Sequence, residues 1–379
     1  MSTRAIRLLQ IVDSLNQGGM ENIMIRVCNH LAARKFEVTV CCLGEAGMLA
    51  GRLDPQVRLR TLKKEPGFRL KVAQQMKHLL KTDADVVHTH HLGGLIYTSL
   101  GGALIARPAM VHSEHILWDS DELAWKRQMQ RRLLYRLCTC LFTVSTQQMD
   151  QMLALGHKHR WQFVLPNGVD LQQFRPSETP KKLLRQDLGL DSEGVWLAKV
   201  ARFGKPKRHV DLIAAFEQAS QRDPRLRLLL VGDGGSEKQR VLSRMEASPV
   251  RDKMHWAGFQ QDPTKHYQAM DALVMSSSFE GLPNAVLEGM ACGLPVLAND
   301  ACGVSELARD GEHGWIGDFS TVEKLAEALN AAAATPQEKL RQMGRSATEH
   351  VRQNFSIEKM LEKYENLYTT AAAGGHLAL

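Results

Sequence analysis

The sequence predicts an α/β protein built from two doubly wound parallel sheets in tandem. Three observations predict it. Short apolar or β-branched runs alternate with longer amphipathic stretches along the whole chain, a rhythm that calls for right-handed β-α-β crossovers and sheets covered on both faces. The 379 residues suffice for two cores at about 100–200 residues per domain. A turn cluster, Pro166-Asn167-Gly168-Val169-Asp170, and a polar, proline-flanked segment, Phe174-Arg175-Pro176-Ser177-Glu178-Thr179-Pro180, divide the chain near its middle.

The elements follow in order. Strands are expected at Ile6–Val12, Glu37–Leu43, Asp85–His90, Ala109–His115, Leu141–Ser145 and Gln162–Pro166. Between them apolar residues recur at helical spacing, as at Ile23, Val27 and Leu31, and again at Leu133, Leu134 and Leu137. The second half reads as strands at Val195–Arg202, Arg227–Val231, Met254–Ala257, Ala272–Ser276 and Val296–Ala298. Three helical stretches near 321–333, 336–353 and 357–370 close the chain, before a tail containing Gly374-Gly375-His376. In such folds the default ligand site is the cleft facing the carboxyl ends of the strands.

Composition narrows the function. With 44% hydrophobic and 23% charged residues the chain is not disordered. Its longest uncharged apolar segment, Leu92–Ala106, is shorter than a membrane span of about 20 residues and holds four glycines. Arg4 and Arg7 precede only Leu8–Val12 before Asp13 interrupts, too short for a signal peptide. A soluble, unprocessed, cytosolic chain is expected. Cys28, Cys41, Cys42, Cys138, Cys140, Cys292 and Cys302 form no C-x-x-C pair and read as reduced, buried thiols. Charge is uneven: residues 1–172 hold 22 Lys/Arg and 14 Asp/Glu, the remainder 26 and 27. The excess points to a polyanionic partner for the first half.

The most informative segment is Ser278-Phe279-Glu280-Gly281-Leu282-Pro283-Asn284-Ala285-Val286-Leu287-Glu288, directly after the strand Leu273–Met275. Asn284 is expected to cap a helix that Gly293 and Pro295 end. Glu280 then lies on the entering loop and Glu288 on the first turns, and the free N–H groups of the terminus suit a diphosphate. From spacing alone, both acids are equally readable as surface carboxylates beside a turn. Arg202 follows a strand and Lys207 comes five residues later, the residue types that neutralise phosphate, though Lys205 and Arg208 also allow a plain solvated basic loop. Gly18-Gly19 after the opening strand would let backbone approach a ligand; they are not the full G-x-G-x-x-G fingerprint. Gly232-Asp233-Gly234-Gly235 is equally compatible with a tight turn. His115 ends its strand, where it could meet a sugar hydroxyl, with His88, His90, His91 and His112 as rivals.

Together these pieces resemble the retaining GT-B glycosyltransferases of family 4, also called glycosyl transferases group 1. The matches run in order from Gly18-Gly19-Met20-Glu21 through Asp85-Val86-Val87-His88-Thr89-His90, Ser113-Glu114-His115, Val144-Ser145 and Pro166-Asn167-Gly168-Val169-Asp170. They continue with Arg202 and Lys207, Val231-Gly232-Asp233-Gly234, Glu280-Gly281-Leu282-Pro283-Asn284 to Glu288, and Met290-Ala291-Cys292-Gly293-Leu294-Pro295-Val296. The resemblance implies the GT-B fold, two Rossmann-like domains facing a central cleft. Residues 1–172 would bind acceptor, 173–355 would bind a nucleotide-sugar, and a helix in 356–379 would return to the first domain. It implies that Glu288 holds the ribose, Arg202 and Lys207 the diphosphate, and Glu280 with Gly281, Leu282, Pro283 and Asn284 the donor sugar. Gly18 and Gly19 would approach the diphosphate and acceptor, and His115 the reacting sugar, with Glu306 a further candidate. Transfer would retain anomeric configuration, the leaving diphosphate taking the acceptor's proton, with no cofactor, no catalytic metal and UDP or GDP as the nucleotide. The chain departs from the pattern at Ala201, Gly289 and Cys302-Gly303, and at Arg208 where Lys-Gly is usual; Arg208 leaves the division of labour among Lys205, Lys207 and Arg208 open.

Metal-binding D-x-D letters occur at Asp83-Ala84-Asp85 and Asp119-Ser120-Asp121 but without ordered company. The basic excess falls in 58–81 and in 124–137, the second reading as an amphipathic basic helix. It suits either shallow binding to anionic headgroups or inward packing of its apolar side. The expected enzyme moves a hexose to a glycan or lipid-linked acceptor in bacterial exopolysaccharide or lipopolysaccharide synthesis, in the cytoplasm or peripheral on the membrane's inner face. The alternatives are a nucleotide-sugar epimerase on the same fold and a non-enzymatic nucleic-acid or anionic-surface binder. No nucleic-acid-reading motif is present, so no nucleic acid is expected as partner.

Overall fold

The computed structural model describes residues 4–16, 18–103, 105, 108–300 and 303–374; Cys302 and the tail from Gly375 lie outside them. The chain divides into two compact units, Met1–Asn167 with Glu358–Leu379, and Gly168–Ile357.

The first unit carries seven strands: β1 (Ile6–Val12), β2 (Phe36–Cys42), β3 (Arg58–Thr61), β4 (Val86–Thr89), β5 (Ala109–Glu114), β6 (Cys140–Thr143) and β7 (Gln162–Val164). All pair in parallel in the order β3-β2-β1-β4-β5-β6-β7. The second carries six: β8 (Val195–Val200), β9 (Leu226–Val231), β10 (Met254–Trp256), β11 (Ala272–Met275), β12 (Val296–Asn299) and β13 (Gly314–Gly317). They are again all parallel, in the order β10-β9-β8-β11-β12-β13. The central strands β4 and β11 are buried along their whole length; β11 accordingly reads as an unbroken apolar run, whereas β4 buries the polar His88 and Thr89 as well. In each sheet the order reverses beside the first strand, at β1/β4 and β8/β11. The loops leaving that pair of strands part toward opposite faces, and the crevice they leave is where doubly wound sheets take ligands.

The expected strands are all present, shifted by a residue or two at their ends. Two further strands, β3 and β13, form sheet edges that the apolar pattern did not reveal. β3 is Arg-Leu-Arg-Thr with alternate residues exposed, and cations on an edge blunt pairing with other chains. β13 is Gly-Trp-Ile-Gly. Gly314 has φ +150°, and a Cβ there would stand 2.0 Å from the Val296 carbonyl oxygen, so only glycine lets this edge close on β12. The 58–81 stretch is therefore not one surface element. It comprises an edge strand, a loop and the helix Leu70–Thr82, with Arg58 paired to Glu37 and Arg69 to Glu65.

The six described cysteines are free and buried, and burial pushes the Cys42 thiol up to about 11. The last helix, Ile357–Ala372, brings Tyr364 and Tyr368 into the core of the first unit, beside His88. Among the described residues no helix is long and apolar enough to cross a membrane.

Candidate functional site

In the second unit the loop after β8 carries Arg202, Lys205, Lys207 and Arg208, and the loop after β11 carries Glu280, Gly281 and Leu282. Backbone bonds lace the two together: the Ser278 N–H donates to the Pro206 carbonyl at 2.8 Å, and the Ser276 hydroxyl to the Lys207 carbonyl at 3.2 Å. The glycine loop after β9 supports the first of them from behind. Gly232, at φ +134°, comes so close that a Cβ would lie 2.2 Å from the Ala201 carbonyl oxygen, and the Phe203 N–H donates to the Gly234 carbonyl at 3.0 Å. Gly232 thus positions the Arg202 loop.

Within this frame the four cations separate by role. Lys207 forms an ion pair with Glu280, both largely withdrawn from water. Arg202 and Lys205 are exposed. Arg208 is committed to the protein: Nε donates to Asp211 Oδ2 at 2.7 Å, Nη1 to the Phe319 carbonyl at 3.1 Å and Nη2 to the Ser320 carbonyl at 2.6 Å. It does so from a left-handed backbone, φ 51° and ψ 43°. Arg208 is therefore a loop clamp, and the cations left for an anion are Arg202, Lys207 and Lys205.

The helix expected after Glu280 spans Asn284–Ala291, with Pro283 at the N-cap position and making no side-chain cap bond. This corrects the expected cap: Asn284 is the first helical residue, because the chain leaves Pro283 at φ −76° and ψ 103°. Glu288 lies one turn further on and is half-buried, accepting a hydrogen bond from the Tyr267 hydroxyl at 2.8 Å. That bond fixes the orientation of the carboxylate. Tyr267 is wholly buried, and burial beside Glu288 holds its hydroxyl protonated, well above the ordinary value. Nothing in the sequence marked Tyr267. Glu306 lies in a short turn, Val304–Glu306, after β12.

In the first unit Gly18 and Gly19 open the helix Gly19–Ala32 after β1. Gly18 is extended, and its missing side chain is already used, since a Cβ there would stand 2.0 Å from a Glu21 carboxylate oxygen. His115 follows β5 and joins a buried network: His115 Nε2 lies 2.7 Å from Ser113 Oγ and 3.0 Å from His90 Nδ1. His90 Nε2 lies 2.7 Å from Gln10 Oε1, and Gln10 Nε2 donates to the Tyr368 hydroxyl at 3.0 Å. That hydroxyl lies 2.8 Å from His88 Nδ1, and His88 Nε2 closes the circuit on Ser113 Oγ at 2.9 Å. Three of the five candidate histidines thus act as one group. His112 instead bonds Thr89 and Glu114, and His91 precedes the helix Leu92–Gly102. A glutamine in the middle of the apolar strand β1 was the available signal for this network.

Burial, with a contribution from His91, pushes His115 down to about 3, and burial keeps His88 and His90 well below the ordinary range. All three are neutral at pH 7, so His115 can exchange hydrogen bonds with a hydroxyl without carrying charge. One aspartate of each D-x-D stretch is already engaged. Asp119 accepts the N–H groups of Asp121 and Glu122 in a turn, and Asp85 pairs with Arg4 and Arg7.

Comparison with known proteins identifies the family. The family model for Glycosyltransferase Family 4 matches residues 17–173, and that for Glycosyl transferases group 1 matches residues 180–350. The chain belongs to this glycosyltransferase family. EpsD of Bacillus subtilis (strain 168) is 29% identical over 317 residues, covering 78% of this chain and 80% of that one. The Escherichia coli UDP-Gal:α-D-GlcNAc-diphosphoundecaprenol α-1,3-galactosyltransferase is 23% identical over 372 residues, covering 92% and 93%. The crystal structure of Anabaena HepE in complex with UDP and glucose superposes with a TM-score of 0.84 at 20% identity, over 96% of this chain and 100% of that one. The architecture is that of the GT-B glycosyltransferases.

Proposed function

We propose that this glycosyltransferase moves a hexosyl group, with retention of configuration and without a metal, from a nucleoside-diphosphate sugar to a glycan or lipid-linked acceptor. The observation that carries the reading is the division among the cations at the β8/β11 reversal. Arg208 is spent on protein carbonyls, while Arg202 stays exposed and Lys207 sits on Glu280 in the loop that enters the helix Asn284–Ala291. Arg202 and Lys207 neutralise the diphosphate and stabilise the charge that grows on it as the glycosidic bond breaks. The helix N–H groups receive its oxygens. Glu288, oriented by Tyr267, takes the ribose hydroxyls, and Glu280 with the Gly281-Leu282 backbone faces the donor sugar. Gly18 and Gly19 give backbone access, and neutral His115 contacts a sugar hydroxyl. The departing diphosphate accepts the acceptor's proton.

UDP or GDP is the nucleotide this reading favours, the first supported by the UDP-sugar relatives. The name of the Escherichia coli relative supports a lipid-linked acceptor, and a place in bacterial exopolysaccharide or lipopolysaccharide assembly, at the cytoplasmic side of the membrane, is part of the same reading. Calorimetric titration with UDP-, GDP- and ADP-sugars, beside a Glu288→Ala variant, tests the proposal. One preferred nucleotide, weakened by the substitution, is expected. Folded protein that binds none of them overturns it.

A further inference from the structure

We infer that the helix Trp125–Leu134 docks the protein on an anionic lipid surface. The helix is inside out. Its one buried residue is Arg131, 1% exposed, which reaches Glu114 and Glu122 and stacks on Trp118 at 4.1 Å. Three of its four large apolar residues face water: Trp125 is 71% exposed, Leu133 58% and Met129 45%, while Leu134 packs against the core. These three are spaced four apart and so form a single stripe along the helix. Leu123 and Leu137, also exposed, extend it at both ends.

Inward packing of the apolar side would have explained the amphipathic pattern without any partner, and the structure has the opposite arrangement. Arg131 is correspondingly removed from the basic face and belongs to the core. Arg127 is engaged with Glu122. The cations that remain outward are Lys126, Arg132 and Arg136. At 100° per residue Lys126 and Arg132 fall on opposite flanks of the apolar stripe, and the helix sequence, Trp-Lys-Arg-Gln-Met-Gln-Arg-Arg-Leu-Leu, contains no acid.

An apolar stripe bordered by cations on both sides matches one occupant well, the boundary between acyl chains and anionic headgroups. Trp125 suits that depth, with an apolar ring and a polar N–H. A second copy of the chain fits less well, because an isologous contact through this stripe would set the same cations against each other. The inference does not depend on the donor reading, since vesicle binding requires no nucleotide-sugar.

Cosedimentation with phosphatidylcholine vesicles, with and without phosphatidylglycerol, tests it on the full chain. Two variants accompany the parent: Trp125→Ala/Met129→Ala/Leu133→Ala, and Lys126→Gln/Arg132→Gln/Arg136→Gln. All six positions are exposed, and circular dichroism with an unfolding midpoint confirms that each variant is folded. The parent is expected to pellet with the anionic vesicles and to be released by salt. Each lost cation is expected to weaken partitioning on the order of fivefold, and loss of the apolar stripe is expected to abolish pelleting. Equal pelleting with neutral vesicles, failure of the folded parent to pellet, or variants that pellet like the parent would overturn the inference. So would a concentration-dependent dimer in sedimentation velocity that the apolar variant abolishes, which would assign the stripe to a second copy.

Discussion

Replacing Arg208 by alanine and by glycine separates two effects that the structure superimposes at one residue. The left-handed backbone at φ 51° costs a non-glycine residue about 1–2 kcal/mol. The guanidinium offsets this through Asp211 and the carbonyls of Phe319 and Ser320, together about 2–3 kcal/mol after discounting the half-exposed Asp211 pair. Arg208→Ala loses the bonds and keeps the strain, so it is expected to destabilise by about 2–3 kcal/mol. Arg208→Gly loses the same bonds but relieves the strain, less the extra entropy of an unfolded glycine, and is expected to be more stable than the alanine variant by about 1 kcal/mol. Urea unfolding should give midpoints in the order parent, glycine, alanine. A glycine variant no more stable than alanine would refute the strain. The same proteins test the functional division: Arg208→Gly should weaken nucleotide-sugar binding by no more than about threefold, against at least about tenfold for Arg202→Ala. Equal losses would mean that the Arg208 guanidinium reaches the ligand, and the clamp would be wrong.

Tyr267→Phe removes the hydroxyl that orients Glu288 and should raise the donor Kd about fivefold with kcat nearly unchanged; an unchanged Kd would detach Glu288 from the ribose. Acid should destabilise the first unit early. His88 and His90 are held neutral by burial, whereas the unfolded chain binds protons near the ordinary histidine value of about 6.5. Their contribution is complete above that pH and is lost as the pH falls below it, by at most about 1.4 kcal/mol per histidine per pH unit. Glu114 stays out of this window. Burial opposes its charge, but His112 and Arg131 hold its carboxyl far below the ordinary range, so its contribution fades only below the usual carboxylate value. Urea midpoints flat between pH 7 and pH 5 would contradict the neutral network. Arg131→Met strands the buried Glu114 carboxylate and should cost about 3–5 kcal/mol. Adding Glu114→Gln should restore part of it, as a double-mutant cycle in urea would read.

What the sequence made legible follows from how each part is encoded. A central strand such as β11 is buried and announces itself as an apolar run. Of the four edges, β7 and β10 were expected, but β3 and β13 were not, because β3 alternates arginine with other residues and β13 begins and ends with glycine. The loop of Arg202 and Lys207 and the loop of Glu280 could be placed because each directly follows a readable strand. Which cation is free could not, since Arg208 is claimed by carbonyls at Phe319 and Ser320, more than a hundred residues away in the chain. Tyr267 and Tyr368 were hidden for the same reason: each meets its partner only through the tertiary fold.

The helix Trp125–Leu134 shows why periodicity alone stops short of function. An apolar stripe and a cationic face on one helix fix its amphipathicity but not its sign relative to the core. The sign is set by what lies beneath, and beneath this helix is Glu114 at the end of β5, together with the Trp118 ring. A buried carboxylate requires a buried cation, so Arg131 turns inward. With Arg131 on the core side, Trp125, Met129 and Leu133 have no direction left but outward. The charge that secures the fold of the first unit therefore also determines which face of the helix is offered to the surroundings. Arg131→Met with Glu114→Gln removes that constraint without touching the stripe, and protection of the Trp125 indole from an aqueous quencher in that double variant would show the helix rolling over.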